Sequence, residues 1–350
     1  MKKLRIAQYA PLWESVPPKL YGGIERIVYN LLEGLSKRGH EVTLFASGDS
    51  TKEFPLVSVC PVALFRDTTV KRPQAYNYLM LKKLLDMHGD FDVIHDHTFY
   101  EPLILSQVIK TPMVHTLHLE VAKEMKELFD LCNNVEYVAI SENQKQVSNM
   151  ANATVIHNGV DTSLYYCNEK PKSDYVVWLG RISYIKGTKE SILAAKEAGE
   201  NIILAGKINK EDEEYYQQQI KPLIDGEKVK FIGEVDDQAK SKLLGDAKAL
   251  LNLINWDEPY GLVPVEAMAC GTPVITTRRG AMPEVVSDGV SGYVVKDWQE
   301  AALRLKDIDK ISRRECRVWV DNNFSLDKMI DGYEKLYYDC LLYTSDAADE

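Results

Sequence analysis

The sequence has few cysteines and no long apolar run. The first shortage argues against a disulfide-stabilised protein, and the second argues against a membrane-spanning one. Its six cysteines are scattered and form no CxxC pair, which is typical of reduced thiols rather than of a disulfide framework. No stretch approaches the roughly 20 apolar residues that a membrane-spanning helix needs. The first apolar stretch, Leu4–Tyr9, is too short for the core of a signal peptide. We therefore expect a cytoplasmic protein.

An excess of basic residues is also missing. The formal net charge is −10, which argues against a general nucleic-acid-binding role because contacts with phosphates require a basic surface. The charge is uneven, since residues 1–165 carry a net −2 and the remainder a net −8. The first half is the better candidate for weak peripheral contact with a membrane, although solvated helix faces are the simpler interpretation of its basic residues. The candidate positions are Lys71, Arg72, Lys82 and Lys83.

Short apolar runs alternate with amphipathic helical stretches along the 350 residues, a length that suits two domains. The first series predicts strands at Leu4–Tyr9, Glu41–Phe45, Val93–His95, Met113–Thr116 and Glu136–Ile140. The second predicts strands at Val176–Leu179, Ile202–Ala205, Val229–Ile232, Ala249–Leu253 and Pro273–Thr276. Helices between the strands, such as Gly23–Arg38, imply parallel sheets covered on both faces. The pattern predicts two doubly wound α/β domains, with Asp161–Ser173 as the best linker.

Two glutamates, Glu258 and Glu266, stand on either side of a predicted helix start. The first lies in a turn rich in Pro and Gly, and the second lies one turn into an apolar helix that opens near Gly261 to Pro264. Free amides at a helix N-terminus bind phosphate, and neighbouring carboxylates can accept hydrogen bonds from hydroxyls. A sugar nucleotide has both groups.

A second candidate segment follows the predicted strand at Val176–Leu179. Gly180 there lets the backbone turn closely past a ligand, and Arg181 and Lys186 follow it. An Arg fork with a Lys point charge suits a diphosphate. Two surface cations would be the simpler interpretation of this segment alone, but its combination with the glutamate pair favours phosphate binding.

Taken in chain order, these segments resemble glycosyltransferase family 4, whose members have the GT-B fold. The resemblance covers roughly residues 4–325. The matching segments are Tyr21–Glu25, Asp92–His97, Thr116–His118, Asn158–Asp161, Gly180–Arg181, Lys186–Gly187, Glu258–Glu266 and Gly271–Val274.

The resemblance implies two Rossmann-like domains that face each other across a cleft. Residues 1–165 would bind the acceptor and residues 166–324 the nucleotide sugar. Residues 325–339 would form a helix that crosses back to the first domain. Residues 340–350 resemble a translated sequencing adapter, so we expect a non-native tail there.

The resemblance also implies roles for individual residues. Arg181 and Lys186 would bind the donor diphosphate, and Glu258 would hold the transferred sugar by a hydroxyl. His118 would contact that sugar near the reacting carbon, and Glu266 would accept hydrogen bonds from the ribose. The predicted donor-binding positions are Gly22, Gly23, Gly180, Ile232, Gly233, Gly261, Leu262, Val263 and Glu266.

The implied reaction is transfer of a sugar from a nucleotide-diphosphate-sugar donor to a lipid, polysaccharide or small-metabolite acceptor, with retention of configuration. The alternatives are a noncatalytic nucleotide-sugar-binding protein and another GT-B enzyme, such as a sugar phosphorylase or an epimerase. A dinucleotide-binding module is disfavoured because no GxGxxG motif follows a strand.

Neither a metal nor a cofactor is expected. His95 and His97 lie on the same side of a strand end, but no further ligand cluster follows, and GT-B enzymes generally need no catalytic metal. One segment departs from the family pattern. Where members often have Gly-Gly-x-Pro-Glu, this chain has Gly280-Ala281-Met282-Pro283-Glu284, so Ala281 adds a methyl group near the expected ligand.

Overall fold

The computed structural model describes residues 2–19, 22–171 and 173–346, with side chains up to Leu342 in the last helix. The chain divides into two compact units. The first comprises the residues up to Gly159 together with those from Leu326 onward, and the second is Val160–Ser325. The division at Gly159 lies just before Asp161–Ser173, the segment that the sequence favours as linker.

The first unit is built on a seven-stranded sheet in which every pairing is parallel. The strands are β1 Arg5–Tyr9, β2 Glu41–Phe45, β3 Leu56–Val57, β4 Val93–Asp96, β5 Met113–Leu117, β6 Glu136–Ala139 and β7 Thr154–Val155. Their order is β3-β2-β1-β4-β5-β6-β7. The helices between them are α1 Gly23–Lys37, α2 Gln74–Met87, α3 Lys123–Leu131 and α4 Glu142–Val147. All five strands predicted in this half are present, and the sequence missed only the two-residue strands β3 and β7 at the sheet edges.

The second unit repeats this architecture with a six-stranded parallel sheet in the order β10-β9-β8-β11-β12-β13. The strands are β8 Tyr175–Leu179, β9 Asn201–Ala205, β10 Val229–Phe231, β11 Leu250–Asn252, β12 Val274–Thr277 and β13 Gly292–Val295. The helices are α5 Thr188–Ala198, α6 Glu213–Tyr215, α7 Asp237–Asp246, α8 Leu262–Ala269, α9 Met282–Val285, α10 Trp298–Leu305 and α11 Arg313–Asn323. The fold is the expected doubly wound α/β class, formed twice.

The last helix, α12 (Leu326–Asp346), belongs to the first unit. Its apolar face is buried, with Ile330, Tyr333 and Tyr337 each 0% exposed. Ile330 lies over Gly34 of α1, where an added Cβ would come within 2.6 Å of the Ile330 Cδ1 atom. Residues 340–346 of the expected tail continue this helix, and residues 347–350 lie outside the described part of the chain. In that part, no helix combines the length and apolar character needed to cross a membrane.

The central strands of the first sheet place polar side chains at their carboxyl ends. In the parallel register Gln8 of β1 lies opposite His95 of β4, and Asp96 of β4 lies opposite His115 of β5. All four side chains are buried. Because the carboxyl ends of parallel strands share one sheet edge, where such folds bind their ligands, this edge carries the histidines that the sequence singled out.

Candidate functional site

In the second unit, two loops at the carboxyl ends of adjacent strands lie against each other. The loop after β8 ends at Gly187, whose φ is 62°. An added Cβ there would lie 1.7 Å from the carbonyl oxygen of Leu253, so only glycine fits this close approach. The amide of Asn255 donates to the carbonyl of Ile185 at 2.8 Å. The loop that carries Lys186 is therefore fixed against the loop that carries Glu258.

These loops bring Lys186 and Glu258 into contact. The Lys186 Nζ atom lies 2.6 Å from Glu258 Oε1, and both side chains are mostly buried, at 19% and 15% exposed. The Trp256 indole donates to the other oxygen, Oε2, at 3.3 Å, and Lys186 Nζ lies 5.2 Å from the centre of the Trp256 ring. The carboxylate is thus held in place through both oxygens beside a cation.

The turn that carries Glu258 is anchored by the segment that departs from the family pattern. Gly280 has φ 51°, and an added Cβ there would lie 2.3 Å from the Glu258 carbonyl oxygen. Ala281 follows with an ordinary right-handed φ of −77°, is fully buried and donates its amide to the same carbonyl at 2.9 Å. Glycine is therefore required at 280, whereas the methyl group of Ala281 is accommodated in the core.

Helix α8 begins directly after this turn with unpaired amides. Its N-cap is Gly261, with φ 93° and no side-chain cap, and no acidic residue occupies the first turn. Within the described chain, no group accepts a hydrogen bond from the amides of Leu262 and Val263, and Pro264 has no amide proton. Two N–H groups and the positive end of the helix dipole are thus available to an anion.

Glu266 lies farther along α8 and is only 5% exposed. Its Oε1 atom accepts from Lys240 Nζ at 2.6 Å and from the Tyr165 hydroxyl at 3.1 Å. In the described part of the chain, no residue donates to the second oxygen, Oε2. Sequence reasoning missed Lys240 and Tyr165, because neither lies near Glu266 in the chain and no spacing pattern connects them to it.

Arg181 has other partners than expected. Its Nη1 atom lies 3.1 Å from Glu211 Oε1, and its Nε atom lies 3.5 Å from Asp212 Oδ2. Burial raises the pKa of Asp212, against the opposing effect of Arg181. The role of Arg181 toward a diphosphate stays a prediction.

The remaining predicted donor-binding positions of the second unit lie at the same sheet edge. Gly180 donates its amide to Ala205 at 3.1 Å at the end of β8. Ile232 and Gly233 directly follow β10, and the Ile232 side chain is 47% exposed. An exposed apolar side chain beside bare backbone is suitable for contact with a base, but this role also stays a prediction.

Gly22, Gly23 and His118 belong to the first unit. Gly22 is the N-cap of α1 and Gly23 its first residue, while Tyr21 of the same motif lies outside the described residues. An added Cβ on Gly22 would lie 2.5 Å from Pro18 Cβ. His118 directly follows β5, and its Nε2 atom lies 3.0 Å from Nδ1 of His97.

Three histidines of this sheet edge, His95, His97 and His118, are neutral. Burial, with a smaller effect of His115, lowers the pKa of His118 to about 3. Burial is also the main reason why the pKa values of His95 and His97 lie well below the ordinary value. All four ring nitrogens of His95 and His97 have hydrogen-bond partners within the unit. No group of residues in the described chain is arranged to hold a metal ion.

Comparison with known proteins finds two matching family models and several relatives of similar length. The family model described as "Glycosyltransferase Family 4" matches residues 21–164, and the one described as "Glycosyl transferases group 1" matches residues 167–323. N-acetyl-alpha-D-glucosaminyl L-malate synthase of Bacillus anthracis is 25% identical, over 91% of this chain and 94% of that protein. Phosphatidyl-myo-inositol mannosyltransferase of Mycobacterium leprae is 26% identical, over 86% of this chain and 85% of that protein.

Solved structures of glycosyltransferases are also similar to this chain. AviGT4, a glycosyltransferase involved in avilamycin A biosynthesis, superposes with a TM-score of 0.74 at 27% identity, over 97% of this chain and 98% of that one. HepE of Anabaena, whose structure was solved in complex with UDP-glucose, gives a TM-score of 0.73 at 21% identity, over 95% and 99% of the two chains. The chain therefore belongs to glycosyltransferase family 4, the group 1 glycosyl transferases, and has their GT-B fold.

Proposed function

We propose that this glycosyltransferase takes its sugar from a nucleotide-diphosphate-sugar donor and that the site around α8 binds that donor. The observation that carries the proposal is the pairing of Lys186 with Glu258 in the turn before α8, which is followed by the free amides of Leu262 and Val263 and by Glu266. The cation and the amides suit the diphosphate of one ligand, Glu258 suits a hydroxyl of its sugar, and Glu266 suits its ribose. HepE of Anabaena, which has the same fold, was solved with UDP-glucose.

In this arrangement the second unit stabilises the leaving group. The bond between the anomeric carbon and the diphosphate oxygen breaks, and negative charge grows on the departing nucleoside diphosphate. Lys186 can donate to that anion while it stays beside Glu258, because an ammonium group has three protons. The amides of Leu262 and Val263 add fixed dipoles where the charge develops. Glu258 accepts from a hydroxyl of the transferred sugar, and Oε2 of Glu266 accepts from the ribose.

We propose retention of configuration, as the family resemblance implies. The acceptor hydroxyl attacks the face that the diphosphate leaves, and its proton passes to an oxygen of the departing phosphate, so no protein base is required. The acceptor stays unspecified. The membrane contact suggested by Lys71, Arg72, Lys82 and Lys83, which are all exposed, stays a prediction.

The test is turnover of UDP-, GDP- and ADP-sugars by Lys186→Ala and Glu258→Gln variants. We expect each variant to lose about a hundredfold in kcat, the cost of removing one stabilising donor or acceptor at a developing charge. Lys196→Ala, an exposed position on α5, is the matched control and should keep full activity. NMR of the product gives the anomeric configuration.

Three results would contradict the proposal. Unchanged turnover in both variants would show that catalysis does not depend on this site, and it would favour a noncatalytic binding role there. Formation of sugar phosphate from inorganic phosphate would identify a phosphorylase, and conversion of the donor to its epimer would identify an epimerase. An inverted product would overturn retention alone.

A further inference from the structure

A hydrogen-bonded chain runs through the interior of the first unit and ends at His118. The Tyr337 hydroxyl of α12 lies 3.2 Å from Gln8 Nε2, and Gln8 Oε1 lies 2.7 Å from His97 Nε2. His97 Nδ1 in turn lies 3.0 Å from His118 Nε2. Gln8 and His97 are fully buried, so each of these contacts must pair a donor with an acceptor.

The Gln8 amide sets the direction of this chain. With the amide oriented as in this structure, its carbonyl oxygen faces His97, and His97 then carries its proton on Nε2. His97 is neutral because burial keeps its pKa well below the ordinary value. Its Nδ1 atom is then an acceptor, and His118 must donate from Nε2.

The other end of the chain agrees with this direction. The NH2 group of Gln8 donates to the Tyr337 oxygen, so the Tyr337 proton is free to bond His95 Nδ1 at 2.6 Å. His95 then carries its proton on Nε2 and donates to Thr116 Oγ1 at 2.8 Å. Every donor from Tyr337 to Thr116 thus meets an acceptor.

The backbone around His118 is fixed by a second buried amide. Gln144 Nε2 donates to the carbonyls of Leu117 at 2.8 Å and Leu119 at 2.9 Å, on either side of His118. Its Oε1 atom accepts from the amide of Ile140 at 2.8 Å. The orientation of this amide is unambiguous, because backbone carbonyls only accept. His118 is therefore held through its backbone and through one ring nitrogen.

The second ring nitrogen of His118 has no such partner. No described residue forms a hydrogen bond with its Nδ1 atom. The His118 side chain is half-buried and lines a small recess together with Ile24, Thr98 and Phe99. This recess lies at the carboxyl edge of the first sheet, where doubly wound folds bind their ligands.

We propose that Gln8 and His97 are positioning residues that hold His118 as the Nε2–H tautomer, so that its unprotonated Nδ1 accepts a hydrogen bond from a sugar hydroxyl. The identity of the ligand rests on the proposed sugar-transfer function, whereas the tautomer of His118 does not. A histidine held in this way selects a hydroxyl donor and rejects a second acceptor, such as a carboxylate, at the same place. The specificity of the site would thus depend on Gln8, a residue that touches no substrate.

The tautomer is measured directly by long-range ¹H–¹⁵N NMR of the full chain labelled in its seven histidines. We expect His118 to show a protonated Nε2 and a bare Nδ1 throughout pH 5.5–8, whether or not a donor is present. In Gln8→Met, which removes the acceptor opposite His97, we expect the single tautomer to give way to a mixture. His88→Gln, a half-buried histidine of the same unit that hydrogen-bonds Thr111, is the matched control and should leave His118 unchanged.

Tyr337→Phe gives a second test in case Gln8→Met does not fold. It removes the hydroxyl that accepts from the Gln8 amide, so the Gln8 orientation and the His118 tautomer should both lose definition. A protonated Nδ1 or a charged ring on His118 in the wild-type chain would overturn the proposal. An unchanged His118 spectrum in both variants would overturn it as well.

Activity supplies an independent measurement. In His118→Asn the side-chain oxygen can take the place of Nδ1, whereas in His118→Gln the amide takes the place of Nε2. We expect His118→Asn to keep about tenfold more kcat than His118→Gln, the usual effect of one hydrogen bond. The reverse order would show that Nδ1 is not the substrate-facing atom. If no sugar nucleotide is turned over by the wild-type chain, the proposed function fails while the NMR result still decides the tautomer.

Discussion

At the scale of single residues, Lys240 is the charged partner of Glu266. The two side chains are 16% and 7% exposed, and the ammonium lies 2.6 Å from the carboxylate. The contact compensates the burial of the carboxylate with an opposite charge. It also occupies Oε1, so that Oε2 stays available for the ribose hydroxyl that we propose as its partner.

We predict that Lys240→Met weakens binding of the nucleotide. The loss should be about 1.5–3 kcal/mol, the range for a charge-assisted hydrogen bond, and should appear as a raised Kd in calorimetry with nucleoside diphosphate. Lys242→Met on the same helix is the control, because Lys242 is 72% exposed and pairs with Asp246. Equal affinity of the Lys240 variant and the wild type would show that Glu266 does not depend on its lysine.

Sequence patterns reveal some of these residues better than others. Lys186 and Glu258 could be predicted to share a site because each follows a strand, and β8 and β11 turned out to be neighbours. The pairing of Arg181 with Glu211 and Asp212 could not be predicted. It depends on the path of the segment after β9, for which the sequence has no turn signal of defined geometry.

At the scale of elements, helix α12 is attached to the first unit by its apolar face and by one mostly buried carboxylate, Glu334. Glu334 accepts from Arg38 Nη1 at 2.7 Å and from His40 Nε2 at 2.8 Å. His40 can donate because its Nδ1 accepts the amide of Leu4 at 3.2 Å. Burial opposes ionisation of Glu334, but these two donors outweigh it and lower its pKa.

We predict that Glu334→Ala loosens α12. The substitution removes the acceptor that His40 and Arg38 share, and it should lower the free energy of unfolding of this helix by about 2–3 kcal/mol. Hydrogen exchange of peptides from Leu326–Asp346 should speed up accordingly. Asp339→Ala removes an exposed pair with Lys335 on the same helix and should change exchange little, since such pairs contribute below about 1 kcal/mol. Equal exchange in both variants would mean that apolar packing alone holds α12.

Element length explains which parts of the fold were predictable. The long apolar strands and the amphipathic helix α1 were visible because burial of one face imposes a period on the sequence. The two-residue strands β3 and β7 are too short to show one. Strand β13 begins at Gly292, where an added Cβ would lie 1.9 Å from the Val274 carbonyl oxygen, and a required glycine lowers the apparent strand propensity.

At the scale of the whole molecule, the histidines are distributed unequally. All seven precede Gly159, and residues 160–325 contain none. The first unit therefore has a source of acid sensitivity near pH 6 that the second lacks. His95, His97 and His118 are the groups concerned, because burial lowers the pKa of each below the ordinary 6.5.

We predict that acidification from pH 7.5 to 5 destabilises the first unit selectively. Below pH 6.5 the unfolded chain binds protons at these histidines while the folded unit binds none, so the free energy of unfolding falls as the pH falls. Each such histidine lowers the free energy of unfolding by about 1.4 kcal/mol for each pH unit of acidification in this window. The effect of His118 levels off only near its folded pKa of about 3. Carboxylates with lowered pKa values, such as Asp92 in the first unit and Asp246 in the second, destabilise their own units only at lower pH.

Hydrogen exchange at several pH values, corrected for the intrinsic rate, measures each unit by its own peptides. Protection in β1, β4 and β5 should fall with pH, whereas protection in β8, β11 and β12 should hold, which makes the second unit an internal control. In His118→Asn, the slope of the first unit's free energy of unfolding against pH should fall by about 1.4 kcal/mol per pH unit, because one proton is no longer taken up on unfolding. A parallel loss in both units would trace acid sensitivity to carboxylates instead, and would show that the buried histidines are protonated without unfolding.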